Sequence, residues 1–388
     1  MNESRPSAYN FLPEQYERTN RLRINHNYLG EQFADYPEIL REIEALVHRG
    51  DFTLGEAVDR FETHLCEWTG SRHALGMGSG TDALMLSLKA AGIGSGDEVI
   101  TTPYTFYATI GAIVTAGARP VFVDIREDYN LDPGLIEAAI TPRTKAILPV
   151  HWSGRPCEMD AILDVAGRHR LVVVEDACQA FCATYKGQMA GRFGLTGCFS
   201  LHPLKNLNAW GDGGFLLTDS DEIHARLALM RNHGLRDRDH CEMFSYNSRL
   251  DSIQAIVADH LLRKIGHITD SREAHAKHLD ALLAPVDGVT LPPRSPDVRE
   301  VFHLYVIRAR DRDALQRHLV ERGVDAKIHY PVPMHLQPAA RDYGYRRGDF
   351  PVCEKVCDSI LSLPVHEFIT DGDIEYMAEQ IKVFYENR

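Results

Sequence analysis

One lysine stands out in residues 199–214, FSLHPLKNLNAWGDGG. Lys205 follows an apolar, strand-like run and precedes a glycine turn, with few charges nearby. A lysine held at the end of a buried strand loses hydration, which disfavours its ammonium form. Such an amine is either a structural compromise or a nucleophile. Three other stretches carry complementary chemistry. GMGSGTDAL (76–84) is a glycine loop running into a helix, where backbone N–H groups and the helix dipole attract an anion. Gly80 and Thr81 are its natural phosphate contacts, although a tight strand–helix turn has the same sequence signature. The loop lacks the Lys-Ser/Thr of a P-loop and the spacing of a dinucleotide fingerprint, so ATP and NAD sites are poorly supported. Phe106 in PYTFYAT follows a strand and opens a helix, placed to stack on an aromatic ligand or to join the core. Asp176 and Gln179 in LVVVEDACQA lie just past the most apolar strand. A carboxylate there either meets a cation or strong donor, or serves as an N-cap.

Together these stretches offer an anion loop, an aromatic face, a carboxylate and a desolvated lysine. Pyridoxal 5′-phosphate presents a phosphate, a flat ring, a pyridine nitrogen and an aldehyde. The two inventories match one for one.

The elements that must position these residues follow a βα rhythm from about residue 52. Strand-like runs HALGM, DEVIT, RPVFVDI, KAILPVH, LVVVEDA, GCFSLHP and GFLLTD alternate with helical stretches such as TDALMLSLKAAG, IEAAI and MDAILDVAGRH. This alternation predicts an α/β fold with a mostly parallel sheet covered on both faces, whose ligands collect at the carboxyl ends of the strands. Residues 252–283 read as one long helix leading out of the large domain. The expected division is an arm over 1–50, a large α/β domain over 51–261 and a smaller α+β domain over 262–388.

At 388 residues the chain is long enough for more than one domain. Its 44% apolar and 25% charged residues are those of a globular protein, and a net charge of −13 argues against a general nucleic-acid binder. The eight cysteines are dispersed, with no C-x-x-C pair and no matching histidines, so buried thiols are expected and no metal. No signal-like or membrane-spanning apolar run is present, which predicts a soluble cytoplasmic protein.

The stretches FTLGEAVDRFE, GSGTDALMLSL, GDEVITTPYTFYAT, PRTKAILPVH, VVVEDACQA, FSLHPLKNLNAWGDGG and YNSRLDSIQA together resemble the DegT/DnrJ/EryC1/StrS sugar aminotransferases, from about residue 50 to the C-terminus. The resemblance implies a fold-type I pyridoxal phosphate enzyme. Its large domain would hold a mostly parallel seven-stranded sheet between helices, with a smaller α+β domain at the C-terminus. It implies that Lys205 bonds the cofactor aldehyde, Asp176 pairs with the pyridinium nitrogen, Phe106 covers the ring and Gln179 lies near the phenolic oxygen. Gly80, Thr81 and Ser200 would hold the phosphate, completed by Asn247 from a neighbouring subunit, so a homodimer is implied. The family reaction moves an amino group from L-glutamate or glutamine to a keto sugar or ketocyclitol through the pyridoxamine form. Substrate candidates are His151, Trp152, Arg231, His233, Arg249, Lys327, His329 and Tyr330. Two departures matter: Asp212 replaces the usual glutamate after the lysine, a hint of 3-keto sugars, and HWSG replaces H-x-Y-G at 151–154. Relatives with histidine in place of the lysine are sugar dehydratases, and Lys205 favours transamination over that alternative. A non-catalytic pyridoxal-binding regulator is the other alternative, and no helix-turn-helix or basic tail supports it.

Overall fold

The computed structural model describes residues 22–387. Of the expected N-terminal arm, residues 1–21 lie outside the described residues. The strands run in chain order as β1 (His73–Met77), β2 (Glu98–Thr101), β3 (Arg119–Phe122), β4 (Thr144–Ile147), β5 (Val172–Asp176), β6 (Thr184–Tyr185), β7 (Gln188–Met189), β8 (Thr196–Ser200) and β9 (Gly214–Thr218). Seven of them form one sheet in the order β1-β9-β8-β5-β4-β2-β3. The pairs β2–β3, β2–β4, β4–β5 and β5–β8 are parallel, and β9 alone runs against its two neighbours. Six strands therefore end on one side of the molecule.

Helices cover both faces: α1 (Leu29–Gln32), α2 (Tyr36–Arg49), α3 (Glu56–Thr69), α4 (Gly80–Ala90), α5 (Tyr107–Ala116), α6 (Pro133–Ile136), α7 (Met159–His169), α8 (Asp221–Met230) and α9 (Ser252–Leu262). Successive strand side chains point to opposite faces. Cys198 and Leu216 accordingly join α4 and α5 on one side, while Phe199, Phe215 and Leu217 join α3 and α9 on the other. Val173 and Ile100 pack with α7, and their neighbours Val174 and Val99 pack with α4. Burial on both faces explains why β5 reads as an unbroken run of valines.

Past α9 the chain forms α10 (Ile265–Leu283), α11 (Arg312–Glu321), α12 (Pro351–Ser359) and α13 (Asp371–Glu386), with β10 (Val289–Thr290), β11 (Val298–Arg299), β12 (Tyr305–Ala309) and β13 (Ile360–Leu363). A small antiparallel sheet, β10-β12-β13, packs on α10, α11 and α13 around a separate core, which also takes in Ile24. Thr370 and Asp373 form a reciprocal capping box at the start of α13.

Two expectations need correction. The single helix over 252–283 is two, because the chain tightens at Lys264, whose N–H bonds Leu261 O (2.9 Å) and whose ammonium is drawn to Asp35. IEAAI is not a full helix either: α6 gives way to a 3-10 turn at Glu137–Ala139. No described helix is long and apolar enough to cross a membrane.

Candidate active site

The carboxyl ends of β1, β2, β5 and β8 open onto one cavity of about 350 Å³, the crevice that this sheet topology provides for ligands. After β1 the chain turns through Gly78 and Ser79 into α4. The Ser79 hydroxyl accepts from Asp82 N–H (3.1 Å), capping the helix and leaving the first-turn N–H groups of Gly80 and Thr81 without helical acceptors. Gly80 is glycine by necessity: a Cβ there would lie 2.8 Å from Cys178 Sγ and 2.9 Å from Ser200 Cβ. The backbone loop and Ser200 thus form a close anion cradle, with the α4 dipole behind it.

Asp176 ends β5 inside the cavity and is only 5% exposed. Its Oδ2 accepts from Thr109 Oγ1 (2.7 Å) and its Oδ1 from Cys178 N–H (3.2 Å). A carboxylate only accepts, so Thr109 spends its hydrogen on Asp176 and Thr105 must donate to Thr109 (2.6 Å). The carboxylate is oriented, yet keeps lone pairs for a protonated ring nitrogen. Phe106, the N-cap residue of α5, is half-exposed towards the cavity and lies 5.9 Å from the Tyr330 ring. Gln179 Oε1 accepts from Ser153 N–H (2.6 Å), and the Gln179 side chain lies near the Tyr330 hydroxyl.

Lys205 follows β8 in a turn closed by its own N–H to His202 O (2.8 Å), and its side chain lines the cavity. Burial pushes its pKa below the usual lysine value, with Cys178 and Asp176 opposing. Burial also holds the Cys178 thiol protonated, well above its ordinary pKa, so Asp176 is the anion that Lys205 feels. A phosphate, a flat ring, a ring nitrogen and an aldehyde fit this constellation: cradle, aromatic face, oriented carboxylate and amine share one enclosure. Lys327, His329 and Tyr330 line the same cavity. Lys327 pairs with Asp325 (3.1 Å), and His329 Nδ1 meets Ser362 Oγ (3.0 Å). Burial drives His329 down to about 3 and raises Tyr330, so both are neutral hydrogen-bonding groups.

The other expected substrate residues lie off the cavity wall. His151 donates from Nε2 to Glu175 (2.8 Å) and accepts Cys157 N–H at Nδ1 (3.0 Å), fully buried. Trp152 is packed against Tyr104 (4.5 Å) and Tyr129 (5.7 Å). Arg231 is committed to Glu62 (2.5 Å) and Gly76 O (2.9 Å). His233, Asn247 and Arg249 belong to an outer loop, where Asn232 pairs with Asn247 and Arg249 donates to Asn232 Oδ1 (3.2 Å). Asn247 is exposed there and lines nothing in its own chain's cavity.

The cavity also takes His26, Tyr28, Arg272, His303 and His366, none of which sequence reading singled out. They arrive from four distant segments with no shared motif. His26 and Tyr28 come in because Ile24 docks beside Val324 through paired backbone bonds (2.9 Å each). Tyr28 then stacks on His366 at 4.5 Å. A run of polar and aromatic residues before α1, NHNY, was the available signal.

The sequence profile of the DegT/DnrJ/EryC1/StrS aminotransferase family matches residues 34–382. A pleiotropic regulatory protein of Geobacillus stearothermophilus is 41% identical over 92% of this chain and 97% of its own length. The dTDP-3-amino-3,4,6-trideoxy-alpha-D-glucose transaminase of Streptomyces venezuelae is 42% identical over 86% of this chain and 89% of its own. The crystal structure of NtdA from Bacillus subtilis with bound cofactor PMP superposes with a TM-score of 0.88 at 29% identity, covering 96% of this chain and 87% of that one. With its profile match, its close relatives and its cavity at the strand ends, this chain belongs to the DegT/DnrJ/EryC1/StrS aminotransferase family.

Proposed function

We propose that this protein is a pyridoxal phosphate-dependent aminotransferase that moves an amino group from L-glutamate or glutamine to a keto sugar, in amino-sugar biosynthesis. The observation that carries it is the convergence of Lys205, Asp176 and the Gly80 cradle on one cavity. Bound there, the cofactor supplies an aldehyde for amine exchange and a protonated pyridine that accepts electrons. Gly80, Thr81 and Ser200 hold its phosphate, Phe106 covers the ring, and Gln179 offers its amide beside it. Asp176 holds the proton on the ring nitrogen. Lys205, deprotonated part of the time because burial disfavours its charge, takes the proton from the donor's Cα and returns it on the other side of the exchange. Lys327, His329 and Tyr330 face the incoming substrate.

We assign the acceptor as a 3-keto sugar, which Asp212 and the relative named for a 3-amino sugar transaminase support. We also propose a cytoplasmic homodimer, with a small C-terminal unit from about residue 262 in each subunit. All eight cysteines are free thiols, in keeping with a reducing compartment. Tyr107, Phe244 and Tyr246 are exposed aromatics of the kind that a partner covers, and Asn247 sits beside the last of them. Asn247 of each subunit then completes the phosphate cradle of the other. The relative named as a regulatory protein does not alter this reading, because an amine and an oriented carboxylate in one cavity are equipment for turnover.

The test is a panel of 3-keto and 4-keto sugar nucleotides, keto hexose phosphates and ketoinositols, assayed by consumption of L-glutamate. Turnover with a 3-keto sugar is expected, and glutamate consumption with none of them contradicts the assignment. Mixing inactive Lys205→Ala and Asn247→Ala subunits should restore part of the activity, and no recovery would count against a shared site.

A further inference from the structure

Behind Lys205 runs a chain of buried polar side chains that transamination itself leaves unused. Asn208, fully buried, directs its amide nitrogen to two acceptors, the carbonyl oxygen of Lys205 (2.8 Å) and Gln32 Oε1 (2.7 Å). Gln32, only 4% exposed, donates from Nε2 to Glu367 Oε1 (3.0 Å). The other oxygen of Glu367 lies 3.5 Å from Arg272 Nε. Arg272 in turn donates to Phe302 O (3.0 Å) and to the Tyr28 hydroxyl. Arg272 and Tyr28 line the cavity, so the chain leads from the peptide of the lysine back to the wall of the site.

Its direction is fixed from one end. An ionised carboxylate only accepts, so Gln32 must turn its NH2 group towards Glu367. Its carbonyl then faces Asn208, which must present its own NH2 group to Gln32 and to Lys205. Turning either amide over would set acceptor against acceptor between side chains that are almost wholly buried. Three segments far apart in sequence are thereby joined: the C-terminal end of α1, the lysine loop and the stretch before α13.

We propose that Gln32 is a positioning residue: oriented by Glu367, it fixes Asn208 and through it the peptide of Lys205, holding the amine at its station. This rests on the assignment of Lys205 above.

Isosteric substitutions separate this role from packing. Gln32→Glu keeps size and the acceptor for Asn208, but sets a carboxylate against Glu367. In cofactor-loaded protein, borohydride reduction followed by peptide mapping reads how much Lys205 is bonded to the cofactor. Stopped-flow absorbance reads the half-reaction with L-glutamate. In Gln32→Glu the trapped fraction should fall several-fold and the half-reaction slow by roughly 10–100-fold, the effect expected of a small misplacement of a reacting group. Adding Glu367→Gln restores a donor facing residue 32, and both readouts should return to within about threefold of wild type. Asn208→Asp, which opposes an acceptor to both Lys205 O and Gln32, should reproduce the loss, and Glu367→Gln should not restore it, because the clash with Lys205 O persists however Gln32 turns. Readouts unchanged in Gln32→Glu and Asn208→Asp, or a double variant no better than Gln32→Glu, overturn the proposal. Wild-type protein with no trappable bond at Lys205 overturns the assignment of the lysine itself, a distinguishable result.

Discussion

Thr109 donates its hydroxyl hydrogen to Asp176 Oδ2 across 2.7 Å, from the first turn of α5. The contact spans two strand–helix units and turns a bare carboxylate into an aimed one. Removing one partner of a buried ionic pair costs about 3–5 kcal/mol, whereas a hydrogen bond to a charged group is worth about 1.5–3 kcal/mol. Asp176→Asn should therefore lower the transamination rate by roughly 10²–10⁴-fold, and Thr109→Val by roughly 10–100-fold. Steady-state rates with glutamate check the order, and a larger loss in Thr109→Val would contradict the role given to Asp176.

Gly80 faces Ser200 and Cys178 with no room for a methyl group. Gly80→Ala should weaken cofactor binding by at least about tenfold, the equivalent of one misfitted contact of about 1.4 kcal/mol. Cys178→Ala should relieve this only in part, because Ser200 Cβ still lies 2.9 Å from the added carbon. Fluorescence titration of apoprotein with pyridoxal phosphate measures both, and full recovery in the double variant would move the clash from Ser200 to the thiol alone.

Arg231 and Glu62 form a nearly buried pair in which burial raises Glu62 and Arg231 opposes the rise. Arg231→Leu should destabilise the fold by about 3–5 kcal/mol in urea unfolding, because a buried carboxylate loses its cation. The KM for the keto substrate in the folded fraction should stay near wild type. A raised KM with unchanged stability would return Arg231 to the substrate.

Acid should loosen the part of the cavity wall that His26, His329 and His366 build. Burial lowers His26 to about 4 and both His329 and His366 to about 3. The unfolded chain binds these protons from about pH 6.5 downwards while the folded chain does not, so each histidine's contribution is complete above pH 6.5 and is lost as pH falls towards its folded value. The slope approaches about 1.4 kcal/mol per pH unit for each histidine. Urea midpoints should fall between pH 7 and 5, and less steeply in His366→Phe, which keeps a ring stacked on Tyr28. An unchanged slope in that variant would locate the acid sensitivity elsewhere.

Much of the site was legible because its residues punctuate strand ends. Lys205, Asp176, Gly80 and Phe106 each follow an apolar run, and the parallel sheet brings those ends together whatever the loops between them do. The flanking β-branched run VVV could only be a doubly buried strand, so the carboxylate after it had to be explained. His151 and Arg231 misled for the opposite reason: Glu175 and Glu62, their buried partners, are separated from them by 24 and 169 residues and leave no local trace. Thr109 and Gln32 were invisible for the same cause. Their roles exist only once Asp176 and Asn208 are folded against them. The break at Lys264 likewise depends on Asp35, which no helical periodicity reports.

The visible spectrum of cofactor-loaded protein asks the central question most directly: does the side chain at 205 carry the cofactor and yield it to an amino donor? Wild type should show the band of a lysine-bound pyridoxal that bleaches on addition of L-glutamate, and Lys205→Ala should lack that band while retaining the fold. A variant that keeps the band, or a wild-type band indifferent to every amino donor, would contradict the account.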